Sequence, residues 1–387
     1  MYLPASARPR RSWSYGKTIL LKMFSLITFL GPLATRVGAI VVDPDHRAIM
    51  KGKGVKGVWI PPTPELVVGE VKKLAEQGNI ESIQIPGYWH DKKRYDTPSD
   101  LPARPGEKVF MVLHGGAFIG GTASPNFPSL WSGLSTRLAS CHPTINRSLA
   151  IEYRLTTGPP LAQAYPFPAA LIDALAGYAY LVNHLGFSPE NIIIGGDSAG
   201  ANLAIALTRY LLETRSEPSL QLVAVPAPPF GLALLSPWVD LGDSHSVPNG
   251  ALTNNLSSDY LLPVDGTMFK YARANYSHLL GFPAGSDTSR WISPASVHPS
   301  AEPASFRGFP KSFIAYGEAE IFYDSIKTLE KKMVADMGED NVFVHGAKDA
   351  PHDFMILDFW EPEYSASFDA VAEWLNGIIP PVKPLGK

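Results

Sequence analysis

The residue types best suited to chemistry meet in a short turn that centres on a serine. The turn reads Gly-Asp-Ser-Ala-Gly at 196–200, after an apolar run at 191–195 and before a helical run at 201–213. A sharp turn between a strand and a helix strains the serine backbone and presents its Oγ at the top of a sheet. The pattern therefore predicts that Ser198 is a nucleophile.

A second motif could supply the donors that such a nucleophile needs for a developing oxyanion. The stretch His-Gly-Gly-Ala at 114–117 follows an apolar, strand-like run at 108–113. Glycines in such a loop leave backbone N–H groups free to point at a substrate oxygen. His114 itself is expected to brace the loop rather than to transfer protons. The expected oxyanion donors are the amides of Gly115, Gly116, Ala117 and Ala199.

Chains with this kind of nucleophile turn carry their catalytic groups in the order nucleophile, acid, histidine. The base should therefore be a histidine on a loop after the last strand. His345 and His352 are the two candidates. His345 ends a strand-like run, whereas His352 lies in the loop at 348–354, from which an imidazole can reach the serine. We therefore expect His352 to be the base and His345 to be a strand histidine.

The acid that orients the base should follow the preceding strand. Glu318, Glu320 and Asp324 all lie in this region. Asp324 directly precedes a helical run and is also explained as a helix N-cap. We choose Glu320 as the acid, with Glu318 and Asp324 as open alternatives.

Alternating strands and helices predict an α/β protein with a mostly parallel central sheet covered by helices on both faces. Predicted strands lie at 80–86, 108–113, 149–153, 191–195, 230–239, 311–316 and 341–345. Predicted helices lie at 65–77, 130–139, 168–185, 201–213, 325–337 and 365–379. Residues 243–305 lack this alternation of strands and helices and are interpreted as an insertion. Residues 46–78 are expected to be largely helical.

Composition excludes several function classes. The 387 residues carry a formal net charge of −3, which gives no basis for nucleic-acid binding. A single cysteine, Cys141, rules out an intramolecular disulfide and a cysteine-based metal cluster. The remaining histidines form no metal-ligand spacing, so neither a metal nor another cofactor is expected.

The N-terminal segment combines basic residues with an apolar stretch at 18–42. Its uninterrupted apolar core, 23–35, has the length of a signal-peptide core and is short for a spanning helix. Three interpretations compete: a signal anchor or interfacial membrane helix, an amphipathic helix docked over an active-site mouth, and a cleaved signal peptide. The membrane-helix interpretation favours a location at the endoplasmic reticulum or another membrane over one in the cytoplasm.

Taken together, the motifs resemble the hormone-sensitive-lipase-like group of α/β-hydrolases, which includes arylacetamide and steryl-acetate deacetylases. The resemblance covers roughly residues 105–360. It departs from the usual family pattern at Ala117, where a third glycine is usual, at Glu320, where the acid is usually aspartate, and at Asp353, where glycine usually follows the histidine. The stretches that carry the resemblance are HGGAF at 114–118, EYRL at 152–155, FPAA at 167–170 with Asp173, GDSAG at 196–200 and PHDF at 351–354.

The resemblance implies an α/β-hydrolase fold with a mainly helical cap. The expected organisation is an N-terminal segment at 1–45, cap residues at 46–78 and 243–305, and core residues at 79–242 and 306–387. It also implies a serine carboxylic-ester hydrolase acting through an acyl-enzyme of Ser198, Glu320 and His352. Expected substrates are apolar short- to medium-chain acyl esters or acetylated sterol-like alcohols. The alternatives are a non-catalytic small-molecule receptor on the same fold and an acyltransferase.

Overall fold

A computed structural model describes residues 4–36, 46–125, 130–220, 222–261 and 266–380. The strands of the described residues are β1 (Lys56–Ile60), β2 (Ile85–Asp91), β3 (Lys108–Leu113), β4 (Ile145–Ile151), β5 (Ile192–Asp197), β6 (Gly231–Leu235), β7 (Lys311–Gly317) and β8 (Val342–Ala347). The helices are α1 (Tyr15–Arg36), α2 (Gly69–Gln77), α3 (Leu130–Ser140), α4 (Ala169–Ala179), α5 (Ala199–Ser216), α6 (Ala251–Asn254), α7 (Thr267–Tyr276), α8 (Ala284–Thr288), α9 (Tyr323–Met337) and α10 (Glu363–Ile378).

The strands form one eight-stranded sheet in the order β1-β2-β4-β3-β5-β6-β7-β8. β2 runs antiparallel to both β1 and β4, and the pairings from β4 through β8 are parallel. The predicted mostly parallel sheet is therefore confirmed. Because the carboxyl ends of parallel strands meet at one edge, the loops after β3, β5, β7 and β8 converge there.

Alternate residues of the sheet feed two hydrophobic clusters, one on each face. In β3, Val109 and Met111 join the cluster that holds α4, α5 and α9, while Phe110 and Val112 join the cluster that holds α3 and α10. This two-sided burial explains why the central strands are apolar runs without alternation. It also fixes the sheet as a rigid platform for the converging loops.

Residues 46–78 differ from the expectation of a largely helical stretch. Residues 56–60 form β1, which pairs with β2 at the edge of the sheet, and the predicted helix at 65–77 shortens to α2. Main-chain pairing with a distant strand overrides the weak local pattern here. The assignment of the remaining stretch to a cap stays a prediction.

Aromatic residues of the insertion at 243–305 are continuous with the main core. Phe269, Tyr276 and Trp291 are buried in the same cluster as Trp238 and residues of α5. Phe269 packs edge-on against Trp238, with ring centroids 5.3 Å apart. The insertion is thus anchored to the main core by ring packing rather than by a separate small core.

The N-terminal segment packs against the body of the protein through one face of α1. Trp13 and Leu21 are buried in the cluster of α3 and α10, and Trp13 stacks edge-on against Trp360. These contacts hold the segment against the body of the protein, and its placement over an active-site mouth stays a prediction. Within the described ranges, no helix combines the length and apolar character that crossing a membrane needs. Residues 37–45, at the end of the predicted segment, lie outside the described residues.

Candidate active site

The turn between β5 and α5 holds Ser198 in a backbone conformation that few side chains adopt. Its φ is 51° and its ψ is −115°. The turn is tight enough that a Cβ on Gly200 would lie 2.0 Å from the Leu113 carbonyl oxygen. Only glycine fits at that position, which explains the last residue of the motif. Strain at a single residue between a strand and a helix is typical of a functional position.

His352 reaches the serine from the loop after β8, as the sequence predicts. Its Nε2 lies 3.0 Å from Ser198 Oγ, which is hydrogen-bonding distance. The side chains are largely shielded, since Ser198 is 6% exposed and His352 is 1% exposed. A base at this distance can take the serine proton directly.

Glu320, on the turn after β7, is the carboxylate that faces the other ring nitrogen. Its Oε2 lies 3.4 Å from His352 Nδ1, longer than a formed hydrogen bond but close enough for an ion pair. Glu320 is fully buried, and neither of its oxygens has a well-formed hydrogen bond within the described part of the chain. Contacts of this kind are often loose before substrate binds and tighten in the complex.

The other candidates for the acid and the base occupy other positions. Glu318 is exposed. Asp324 lies at the start of α9, where its Oδ2 accepts a hydrogen bond of 2.7 Å from the Ala251 amide. His345 stays on β8, and its Nε2 lies 2.9 Å from the Ser367 hydroxyl of α10. None of these contacts leads to Ser198.

The loop after β3 has the backbone of an oxyanion site but uses one of its expected donors internally. Gly116 and Ala117 have φ values of 108° and 55°, so the loop turns sharply at the residues after Gly115. The Gly115 amide donates to Asp197 Oδ1 at 3.0 Å and is therefore already occupied. The Ala199 amide is the first of α5, and such amides have no partner within their own helix.

His114 braces this loop as expected. Its ring stacks on Tyr153 with centroids 4.2 Å apart, and its Nδ1 donates to the Gly115 carbonyl at 2.7 Å. The Tyr153 hydroxyl donates to the His114 carbonyl at 2.5 Å. Burial lowers the pKa of His114 to about 4, so its ring is neutral at physiological pH.

The turn that carries Glu320 is held by the insertion, a role that the sequence analysis missed. Asn255 Nδ2 donates to the Glu320 carbonyl at 2.8 Å, and the Ser258 hydroxyl donates to the Ala319 carbonyl at 3.0 Å. Asp259 Oδ2 accepts from the Ile321 amide at 2.8 Å. No local pattern signals these contacts, because they join segments about 60 residues apart.

Asp353 is a further residue at the centre of the site that the sequence analysis did not place there. Its Oδ2 lies 3.0 Å from His352 Nε2, on the side of the ring that faces Ser198. The sequence signal was its position directly after the histidine, where the resembling family usually has glycine. The centre therefore contains two carboxylates around one imidazole.

Burial and charge together shift the pKa values of these groups. Burial raises the pKa of Glu320 to about 7, although contact with His352 opposes the rise. Burial by itself lowers the pKa of His352, but the carboxylates of Asp353 and Glu320 outweigh it and raise that pKa well above its usual value. Burial also raises the pKa of Asp353, and His352 opposes this rise. Shifted pKa values in one cluster are typical of catalytic sites.

No metal centre accompanies the site in the part of the chain that the structure describes. Groups of three or more histidine, cysteine, aspartate or glutamate side chains arranged for a metal ion are absent from those residues. The arrangement that is present is a serine hydroxyl next to an imidazole, which in turn faces a carboxylate, and the first amide of α5 lies beside the serine. Such an arrangement can carry out acyl transfer.

Known proteins share both the sequence pattern and the fold. Residues 110–356 match a family that is described by its α/β-hydrolase fold. An esterase of Acinetobacter venetianus is 29% identical over 271 residues, which is 70% of this chain and 75% of that protein. An acetyl-hydrolase of Streptomyces hygroscopicus is 30% identical over 235 residues, which is 59% of this chain and 63% of that protein.

Solved structures resemble the chain in fold. A crystal structure of an esterase from the bacterial hormone-sensitive lipase family has a TM-score of 0.56 at 21% identity, covering 92% of this chain and 98% of that one. An esterase/lipase from an uncultured bacterium has a TM-score of 0.57 at 20% identity, covering 90% and 98%. The chain therefore belongs to the α/β-hydrolase family, and it is a carboxylic-ester hydrolase.

Proposed function

We propose that the protein hydrolyses esters through an acyl-enzyme on Ser198. The observation that carries the proposal is the 3.0 Å contact between Ser198 Oγ and His352 Nε2 at a strained, buried turn. His352 takes the serine proton as Oγ attacks the ester carbonyl, and Glu320 stabilises the imidazolium that forms. His352 then gives the proton to the leaving alcohol, and water releases the acyl group by the same route in reverse.

We propose that three of the four predicted backbone amides donate hydrogen bonds to the oxyanion. The amides of Gly116, Ala117 and Ala199 remain from the predicted four, because that of Gly115 donates to Asp197. The strained loop and the start of α5 fix these amides before substrate arrives. Preorganised donors of this kind stabilise the tetrahedral intermediate, and losing one typically lowers kcat about 100- to 1000-fold.

The proposed substrates are uncharged, apolar esters with short to medium acyl chains, among them acetates of sterol-like alcohols. Buried carboxylates of Glu320 and Asp353 disfavour an anionic substrate next to the serine. The rings of Phe322 and Tyr260 lie with centroids 5.1 and 6.0 Å from that of His352 and present apolar surface. The acetyl-hydrolase of Streptomyces hygroscopicus among the relatives supports short acyl groups.

The test is hydrolysis of a p-nitrophenyl ester series, from acetate to palmitate, by wild type, Ser198→Ala and Ser140→Ala. Ser140 is an exposed residue of α3 and serves as the matched control. We expect Ser198→Ala to lower kcat about a millionfold, as removal of the nucleophile does in a serine protease. Substantial turnover by Ser198→Ala would reject the proposed mechanism. Product analysis with an added alcohol separates hydrolysis from acyl transfer, since an acyltransferase would yield the new ester.

Membrane association through the N-terminal segment stays a prediction. It is supported by exposed apolar side chains on α1, namely Tyr15, Ile19, Leu20, Met23 and Leu26. The same holds for a location at the endoplasmic reticulum or another membrane. Sedimentation of full-length and 43–387 proteins with lipid vesicles tests it: association of the full-length protein alone is expected, and equal recovery of both in the supernatant would contradict it.

A further inference from the structure

A second carboxylate competes with the nucleophile for one nitrogen of the catalytic imidazole. Asp353 Oδ2 and Ser198 Oγ each lie 3.0 Å from His352 Nε2. A ring nitrogen carries either one hydrogen or one lone pair, so it cannot serve both oxygens fully. Ionised Asp353 accepts only, and it therefore favours the form in which Nε2 is protonated. Activation of Ser198 requires the other form.

The fold holds Asp353 in this position from several sides. Its backbone is left-handed, with a φ of 48°, and its amide donates to the Ser236 hydroxyl at 3.0 Å. The Tyr260 hydroxyl lies within hydrogen-bonding reach of the carboxylate. Oδ1 is buried and has no hydrogen-bond partner within the described ranges, so the contact with His352 is a main interaction of this side chain.

The charges that surround the imidazole are mostly negative. Glu320 faces it from the turn after β7, Asp259 from the insertion, and Asp353 from its own loop. Asp197, the last residue of β5, acts on Tyr260, which lies beside the same carboxylates. Lys22 of α1 reaches the group through Asp259. The imidazolium form of His352 is thus the form that this environment favours.

We propose that Asp353 is a positioning residue that competes with Ser198 for His352 Nε2 and thereby sets the lower pH limit of ester hydrolysis. The inference rests on the proposed function. In the resting protein His352 carries a proton on Nδ1, directed to Glu320, and a second on Nε2, shared between Asp353 and Ser198. Loss of the Nε2 proton to solvent leaves a lone pair there, and the Ser198 proton then moves to that lone pair as Oγ attacks.

The sign of the pH effect follows from this competition. Hydrolysis needs neutral His352, so kcat/KM rises with pH as the imidazolium of the free enzyme loses its proton. A negative charge at 3 Å holds that proton on, which moves the rise to higher pH. Removing the charge should move the acidic limb of the profile to lower pH by about 1–3 units, the usual effect of a nearby opposite charge.

The experiment compares pH profiles of kcat/KM on p-nitrophenyl acetate for wild type, Asp353→Asn, Asp353→Gly and Asp358→Asn. Asn keeps the shape of the side chain, and Gly suits the left-handed backbone. Asp358 is exposed, five residues further along the same loop, and its substitution controls for loss of one charge. We expect both Asp353 variants to exceed wild type about five- to tenfold at a pH one unit below the wild-type limb, and Asp358→Asn to match wild type.

Two outcomes would overturn the inference and leave the proposed function intact. In the first, the acidic limbs of both Asp353 variants coincide with that of Asp358→Asn, and Ser198→Ala is inactive. The other is a change in KM with an unmoved limb, which would mean that Asp353 binds substrate. An active Ser198→Ala would instead reject the proposed function itself.

A measurement on the wild-type protein covers the case in which both Asp353 variants fail to fold. Titration of the His352 ring by NMR should show the imidazolium persisting to a pH above the usual range for histidine. A ring that loses its proton near pH 6.5 or below, the unperturbed value, would overturn the inference.

Discussion

At the scale of single residues, each member of the site is buried, and its few remaining contacts determine its role. Ser198 is fixed by a strained turn, His352 by two carboxylates, and Glu320 by a pocket with no well-formed hydrogen bond in the described part of the chain. The imidazolium of His352 stabilises the charge of this buried carboxylate more than the Ser236 side chain does. Glu320 is therefore suited to stabilise the step at which the His352 imidazole carries a positive charge.

The choice of acid can be tested with two neighbouring glutamates. Glu320→Gln removes the charge that faces His352 Nδ1, and we expect kcat to fall about ten-thousandfold, as the equivalent change does in a serine protease. Glu318→Gln, at an exposed position two residues earlier, should change kcat less than about twofold. Steady-state kinetics on a short-chain ester measures both. The reverse order of effects would assign the acid to Glu318.

The residues that the sequence could predict are those whose roles follow from local patterns. The turn around Ser198 and the loop of His352 lie where the motifs put them. The occupied Gly115 amide and the contact of Asp353 with Nε2 could not be predicted, because both depend on side chains that meet only in the folded protein. Local spacing specifies which loops converge but not how their side chains share donors.

At the scale of elements, the loops of the site are held from outside the sheet. The insertion binds the turn of Glu320 through Asn255 and Ser258, and Arg10 of the N-terminal segment binds both of those side chains, at 2.5 and 3.1 Å. Trp13 Nε1 donates to the carbonyl of Asp349 in the loop of His352, at 2.7 Å. One N-terminal segment thus contacts the supports of both the acid and the base.

This bracing predicts a specific effect of truncating Trp13. Trp13→Ala removes a buried ring that packs edge-on against Trp360 and a hydrogen bond to the loop of His352, and should destabilise docking by about 3–5 kcal/mol. Undocking frees Arg10 and Lys17 from their contacts and loosens the backbone around the exposed Arg11, so trypsin should cleave the segment faster and kcat should fall.

The matched control for this prediction is Tyr15→Ala, because Tyr15 is 42% exposed on the same segment. We expect its cleavage rate and kcat to equal those of wild type. If Trp13→Ala is cleaved no faster than Tyr15→Ala, the segment does not depend on this contact. If cleavage rises while kcat is unchanged, the segment docks but does not support the loop of His352.

At the scale of the whole molecule, the sheet separates two hydrophobic faces, and buried ion pairs join segments around it. The Asp173 carboxylate, on α4, accepts from Arg154 Nη2 at 2.7 Å and from the Arg154 amide at 2.8 Å. Both side chains are buried. This pair lies in two of the motifs that carry the family resemblance, yet it contacts no member of the triad in the structure. Its role is to hold α4 to the segment after β4.

A comparison of stability and activity tests whether the pair of Arg154 and Asp173 supports the scaffold and not the catalytic site. Asp173→Ala leaves the Arg154 charge buried and unpaired, and the free energy of unfolding should fall by about 3–5 kcal/mol. Glu76→Ala breaks an exposed pair with Lys72 on α2, and it should change that free energy by less than about 1 kcal/mol. Urea denaturation measures both, with kcat per folded molecule recorded alongside. Because the pair does not touch Ser198, His352 or Glu320, folded Asp173→Ala should retain wild-type kcat. An equal loss of stability in the two variants, or a loss of kcat in fully folded Asp173→Ala, would contradict the separation of scaffold from site.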